Sequence, residues 1–503
     1  MPDGDEVTNP PAAPVFPHAA PFIPSQRAPH PSEAGSGFAS PTFPAGAGPA
    51  SGFPGGGVAP GPPAGVVPGF VEPRRGPGRG LLVGGALALV AALAVGAGAV
   101  YVANREPLGA EAAVPPAHAL PLTPFEQVNA LLKAQATALV RGDEKGWLAA
   151  VDPAQPKLRT RYRSMFRSLR GLGVSYFEYK TYVRAQRKDR SGRLSVGADV
   201  AYCYADDNCV VEKGPDSDGP PTVAQELDLR SVKGGWVITA LTARKNPADE
   251  QLAPWATSDL VTAKGKRVTL VAGPGEQKYF RRLLPIADRA ATVNDRFAGL
   301  VGNPQKRYRI YLAGPRQWKT WYGGMTDKWI VGYALPLHES GTDVVLNMAE
   351  LKDDDRFLAT TVQHELGHVV TVGGVHRRTY GGAGTMWLKE GIAEYIGWYP
   401  QPATASWRRQ AVREAVHGSR RPTSIAMKSL GPDARSQEGD AFYGLGHFAA
   451  DCIATKYGQR ALFTFVRLYL REDRDLDPAS QEAFGRPFKS VDRTCVAWIR
   501  DRA

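Results

Sequence analysis

Two segments late in the chain, "DDDRFLATTVQHELGHVVTVGG" and "GTMWLKEGIAEYIGWY", constrain its fold more than anything else in the sequence. The first carries Asp residues where a helix start is capped, and Gly373 and Gly374 where the helix should stop. At ~100° per residue, with His364 at zero, His368 lies near 40° and Glu365 near 100°. Leu358, Val362, Leu366, Val369 and Val370 fall on the far side, between roughly 120° and 240°. The helix therefore buries one face and turns two imidazoles and a carboxylate the other way. The second segment also reads as a helix, with Leu388, Ile392, Tyr395 and Ile396 opposite Glu390 and Glu394.

This pattern is suited to a metal. Two neutral imidazoles one turn apart suit zinc, and Glu365 beside them is placed to take a proton from a water. A catalytic zinc site needs a third protein ligand and an open fourth position, and Glu390 supplies the ligand. Glu394, one turn further on, is placed to accept the free ring N–H of a ligand histidine. Taken together, HELGH and, 22 residues after His368, the first Glu of "WLKEGIAEY" resemble the gluzincin metallopeptidases. The similarity is to thermolysin-like members with short catalytic domains and covers roughly residues 265–480. It implies one Zn2+ held by His364, His368 and Glu390, Glu365 as general base, and hydrolysis of a peptide or protein substrate. No G-x-M-E-N precedes the metal helix, so aminopeptidase specificity is not implied.

A third helical segment, "GDAFYGLGHFAADCIATKYG", puts Asp440, Tyr443 and His447 on one face, with Leu445, Phe448, Ala449 and Cys452 opposite. Related families carry a Tyr on a similar helix, and its hydroxyl stabilises the oxyanion. That analogy makes Tyr443 the second expected catalytic residue, with His447 as runner-up. "TDVVLNMAEL" stands where an edge strand would pair with an extended substrate.

The rest of the chain divides by composition. Of the 42 prolines, 19 fall within residues 1–80 among Gly, Ala and Ser, and such a tail is expected to be disordered. Residues 81–103 carry no charge and are long enough for a membrane-spanning helix. Arg74, Arg75 and Arg79 precede that run, so the positive-inside rule keeps the tail in the cytoplasm and exports everything after it. A single-pass anchor is favoured over a cleaved signal peptide, because 80 residues is too long for a signal's amino-terminal region. Cys203, Cys209, Cys452 and Cys495 all follow the run, and an even number in an exported region predicts disulfides. Cys203 and Cys209 flank a plausible turn, "YADDN", which leaves Cys452 to pair with Cys495.

After a Pro/Ala-rich spacer over 104–122, residues 123–247 read as helix followed by alternating strands. That order, with the opening "ALLKAQATALVRGDEKGWLAAVD", resembles the nuclear-transport-factor-2-like fold and implies an accessory domain. Residues 248–264 read as a polar joint, and 265–503 as the metallopeptidase domain, mostly helical with a small edge sheet. The expected class is thus α+β behind a single-pass membrane anchor. The net charge of +12 is spread along the chain without the aromatic-plus-basic pattern of a nucleic-acid reader. A non-catalytic binding or sensory protein with a structural peptidase-like domain is the competing reading. Loss of a ligand or of the base would favour it, and all four residues are present.

Overall fold

The structure is a computed structural model. It describes residues 23–26, 122–183, 192–212, 214, 217, 219–243, 253–325, 330–337, 339, 341–375, 383–419, 421–431 and 434–503. The first element is a short strand from the proline-rich tail, β1 (Ile23–Gln26). Helices α1 (Pro124–Arg141), α2 (Glu144–Ala149) and α3 (Pro156–Leu172) follow. They precede an antiparallel sheet in the order β2 (Val174–Val183), β3 (Arg193–Tyr204), β4 (Thr222–Val232) and β5 (Gly235–Ala243). The start of α1 is fixed by a reciprocal cap between Thr123 and Glu126 with Pro124 behind it, and its end by Gly142 at φ 78°.

A second, six-stranded sheet runs in the order β1-β9-β10-β8-β7-β6. Its further strands are β6 (Val261–Lys264), β7 (Val268–Ala272), β8 (Tyr308–Ala313), β9 (Ile330–Leu337) and β10 (Gly341–Asn347). Strands β7, β8 and β10 are parallel, whereas β6, β9 and β1 each run antiparallel to their neighbour. Helix α4 (Phe280–Val301) connects β7 to β8. Helices α5 (Asp355–Val372), α6 (Met386–Trp398), α7 (Arg409–His417), α8 (Ser436–Tyr457), α9 (Gln459–Val466), α10 (Leu476–Phe484) and α11 (Phe488–Arg502) complete the chain.

This sheet has a hydrophobic core on each face. Leu270, Ile310 and Val344 belong to the core shared with the helices, whereas Val271, Tyr311 and Val345 belong to the core shared with α1–α3 and the first sheet. Alternate residues of each strand serve opposite cores, as the period of a strand requires. An ion-pair network crosses the second junction. Arg309 on β8 reaches Asp207 of the "YADDN" turn at 3.0 and 3.2 Å and Asp343 on β10 at 2.5 Å. The other Asp343 oxygen accepts from the Tyr322 hydroxyl.

Four expectations are revised by this arrangement. Residues 253–264 are not a polar joint, since Trp255 is buried between Phe177 and Tyr202 and β6 belongs to the second sheet. "TDVVLN" is not an edge strand. It forms β10, held between β8 and β9, and its unbroken apolar run suits a strand covered on both faces. The sheet itself is central rather than a small edge. Finally, the class is α+β, and the expected single-pass anchor is not supported: among the described residues no helix is long and apolar enough to cross a membrane. Helices α4 and α8, with 22 residues each, have the length but carry charges such as Arg281, Asp288, Asp440 and Asp451. The run 81–103 lies outside the described residues.

Both expected disulfides form, Cys203–Cys209 across the turn and Cys452–Cys495 tying α8 to α11 with a Cα–Cα distance of 5.6 Å. They fit an oxidising environment.

Candidate metal centre

Helix α5 is held at both ends. The Asp354 side chain accepts from the backbone N–H groups of Arg356 and Phe357, each at 2.9 Å. At the other end the Asn303 amide donates to the carbonyls of Val369, Val370 and Gly373, and Arg471 donates to Gly373 at 2.8 Å. The carbonyls at the end of the helix thereby gain partners from outside it.

Small residues then let the neighbouring helices approach. A Cβ on Gly367 would stand 3.3 Å from the Ala393 Cα, and one on Gly397 would stand 3.0 Å from the His364 Cβ. On the other side of α6, Gly391 and Gly446 of α8 meet so closely that a Cβ on Gly391 would lie 2.5 Å from the Gly446 carbonyl oxygen. Helix α6 is consequently buried on every side rather than on one face, with Trp387 through Trp398 all buried.

The convergence that follows is tight. His364 Nε2 and His368 Nε2 are 3.1 Å apart, and Glu390 Oε2 stands 3.5 Å from the first and 3.3 Å from the second. The three residues are at most 2% exposed, and their ligand-capable atoms all lie within 4.8 Å of one another. Two atoms bound to zinc at ~2.05 Å with a tetrahedral angle stand about 3.3 Å apart, so the observed spacings suit one such ion. The Glu390 oxygens face the imidazoles without well-aligned hydrogen bonds. These three buried groups turned to a common point could hold a metal ion, and two imidazoles with a carboxylate fit zinc.

The surroundings orient these groups. His364 Nδ1 is 3.1 Å from Glu394 Oε1, where the sequence placed a carboxylate to receive a ring N–H. Burial pulls the His364 imidazole down, but Glu390 and Glu394 outweigh it and push its pKa up to about 10. Burial prevails at His368, which is lowered. Burial raises Glu394, yet Arg408 and then His364 overcome it and bring Glu394 to about 2. Glu365 lies against β9, where a Cβ on Gly332 would stand 2.9 Å from its Oε1.

Tyr443 has its ring centroid 6.2 Å from that of His364, and burial together with Glu390 keeps its hydroxyl well above the ordinary range, hence a donor. His447 sits further back, 6.4 Å from Trp398, and burial drops its imidazole to about 4. The structure thus gathers His364, His368 and Glu390 with Tyr443 at their flank. Sequence reasoning missed Arg408, which is 2% exposed and contacts Glu394 at 3.2 Å. It stands beside the surface residue Arg409 in "SWRRQ", and nothing in the sequence tells the buried arginine from the exposed one. No protein-family model matches this chain, and no curated protein matches its sequence significantly.

Proposed function

We propose that the chain is a zinc metallopeptidase of gluzincin type working in an oxidising environment. The observation that carries the reading is the buried convergence of His364, His368 and Glu390. Zinc held there would supply a Lewis acid and a water of lowered pKa. Glu365 takes a proton from the attacking water and returns it to the departing amine. The Tyr443 hydroxyl donates to the oxygen on which negative charge develops. The outer edge of β9 is taken by β1, with Ser25 opposite Gly332, so an extended substrate reaches that edge only by taking the place of β1. Gly332 brings that backbone against the base because it has no side chain to hold it off.

Metal analysis of the full-length protein and its variants, run beside a mixed-peptide digest, tests this reading. Glu365→Gln keeps its zinc and loses at least ~100-fold in rate, the usual cost of removing a general base. His368→Ala and Glu390→Ala lose zinc and activity together. A wild-type protein that binds zinc but cleaves nothing favours a non-catalytic role, and an active Glu365→Gln variant refutes the assignment of the base.

A further inference from the structure

Arg408 has no part in the chemistry described above, yet it is buried beside the site. An arginine 2% exposed requires partners, and it has them on two helices. Its Nη1 is 3.2 Å from Glu394 Oε2 on α6, and its Nε is 3.2 Å from Asp440 Oδ1 on α8. The guanidinium carbon lies 5.4 Å from the ring centre of Tyr443 and 5.5 Å from that of Trp407. The backbone makes room for this placement: a Cβ on Gly444 would stand 3.1 Å from the Arg408 Cβ and 2.5 Å from Val412 Cγ2.

The atoms used at each link matter. Glu394 accepts from Arg408 at Oε2 and holds Oε1 3.1 Å from His364 Nδ1, while His364 Nε2 faces His368 and Glu390. Arg408 Nη1 donates to Glu394 Oε2, while Asp440 Oδ1 and His364 Nδ1 stand at ion-pair distance, so the planar guanidinium sets the place of the Glu394 carboxylate and through its charge that of the imidazole. The same plane supports Tyr443, three residues after Asp440 on α8. We infer that Arg408 is a positioning residue that fixes the ring of His364 through Glu394 and braces Tyr443, so that the metal site and the oxyanion donor share one anchor. This rests on the metallopeptidase reading.

A double-mutant cycle on zinc affinity tests it, measured on the full-length protein by competition with a chelator. Arg408→Gln is expected to weaken zinc by ~10–100-fold, the usual effect of removing a group that orients a ligand. In a Glu394→Gln background the same substitution should add little, because the link it acts through is already cut. Arg408→Lys should recover part of the affinity, its ammonium reaching Glu394 without the fork that also holds Asp440. The visible spectrum of the cobalt(II)-substituted protein should change with Arg408→Gln, reporting a reoriented ligand. If Arg408→Gln does not fold, the cycle is run with Arg408→Lys. Equal losses in both backgrounds, or unchanged zinc affinity and cobalt spectrum with only a lower melting temperature, overturn the inference and leave the metallopeptidase reading standing. A wild-type protein that binds no zinc overturns both.

Discussion

Replacing Gly391 by alanine opposes two effects whose sizes differ enough to predict the result. Glycine inside a helix costs ~1 kcal/mol relative to alanine, so propensity alone favours the substitution. The new methyl, however, would meet the Gly446 carbonyl oxygen at 2.5 Å, its carbon at 2.6 Å and its Cα at 2.8 Å, all backbone. Ordinary contact begins near ~3.4 Å, so α6 and α8 must part by roughly 1 Å, and overpacking of this kind costs about 1–3 kcal/mol. Glu390 is the adjacent residue on α6, and Tyr443 lies three residues before Gly446 on α8. A shift of ~1 Å there is enough to lower the rate about 100-fold. Gly299 serves as the control, since it lies in helix α4 with nothing within 4 Å of its added Cβ. Urea unfolding and zinc titration of both variants should show Gly299→Ala unchanged or up to ~1 kcal/mol more stable with normal zinc binding. Gly391→Ala should be less stable than wild type and bind zinc more weakly. A Gly391→Ala protein as stable as Gly299→Ala, with wild-type zinc affinity, would show that the helices do not set the site by close approach.

Replacing both cysteines of Cys452–Cys495, which are 43 residues apart, by alanine should cost about 4 kcal/mol on the loop-entropy scale, and the six-residue Cys203–Cys209 loop about 2 kcal/mol; urea unfolding of the two double variants that gave the reverse order would contradict the loop argument. Arg309→Met strands the buried Asp207 and Asp343 and should cost about 3–5 kcal/mol in the same measurement, so a neutral result would mean that the network is dispensable. Glu394 is depressed to about 2 in the folded protein, so its ionised form contributes stability that is present above the unfolded value of 4.5 and is lost as the pH falls towards 2. The full contribution is on the order of 3 kcal/mol, and Glu394→Gln should flatten the acid limb of a pH–stability curve for the metal-free protein.

The sequence by itself determined the local elements and the identity of the polar cluster. The 3.6-residue spacing in "TVQHELGHVV", the run of Asp residues before it and Gly373 after it fixed a helix that presents His364 and His368 together, and the structure makes Asp354 the cap and Gly373 the end of α5. Alternation in "VSYFEYKTYV" and "VAQELDLRSV" fixed β2 and β4 in the same way. Tertiary structure decided everything that depends on which face meets which. "TDVVLN" is a strand by pattern alone, but its place between β8 and β9 follows from pairings with residues elsewhere in the sequence. The apparent joint around Trp255 became core because the first sheet lay close enough to cover an indole that local polarity seemed to expose. Arg408 carries the same lesson at the site. Its burial arises from Glu394 fourteen residues before it and Asp440 on α8, and no window of sequence around "SWRRQ" contains both partners. Periodicity reports the direction a side chain takes from its own helix, and only packing supplies what stands there to meet it.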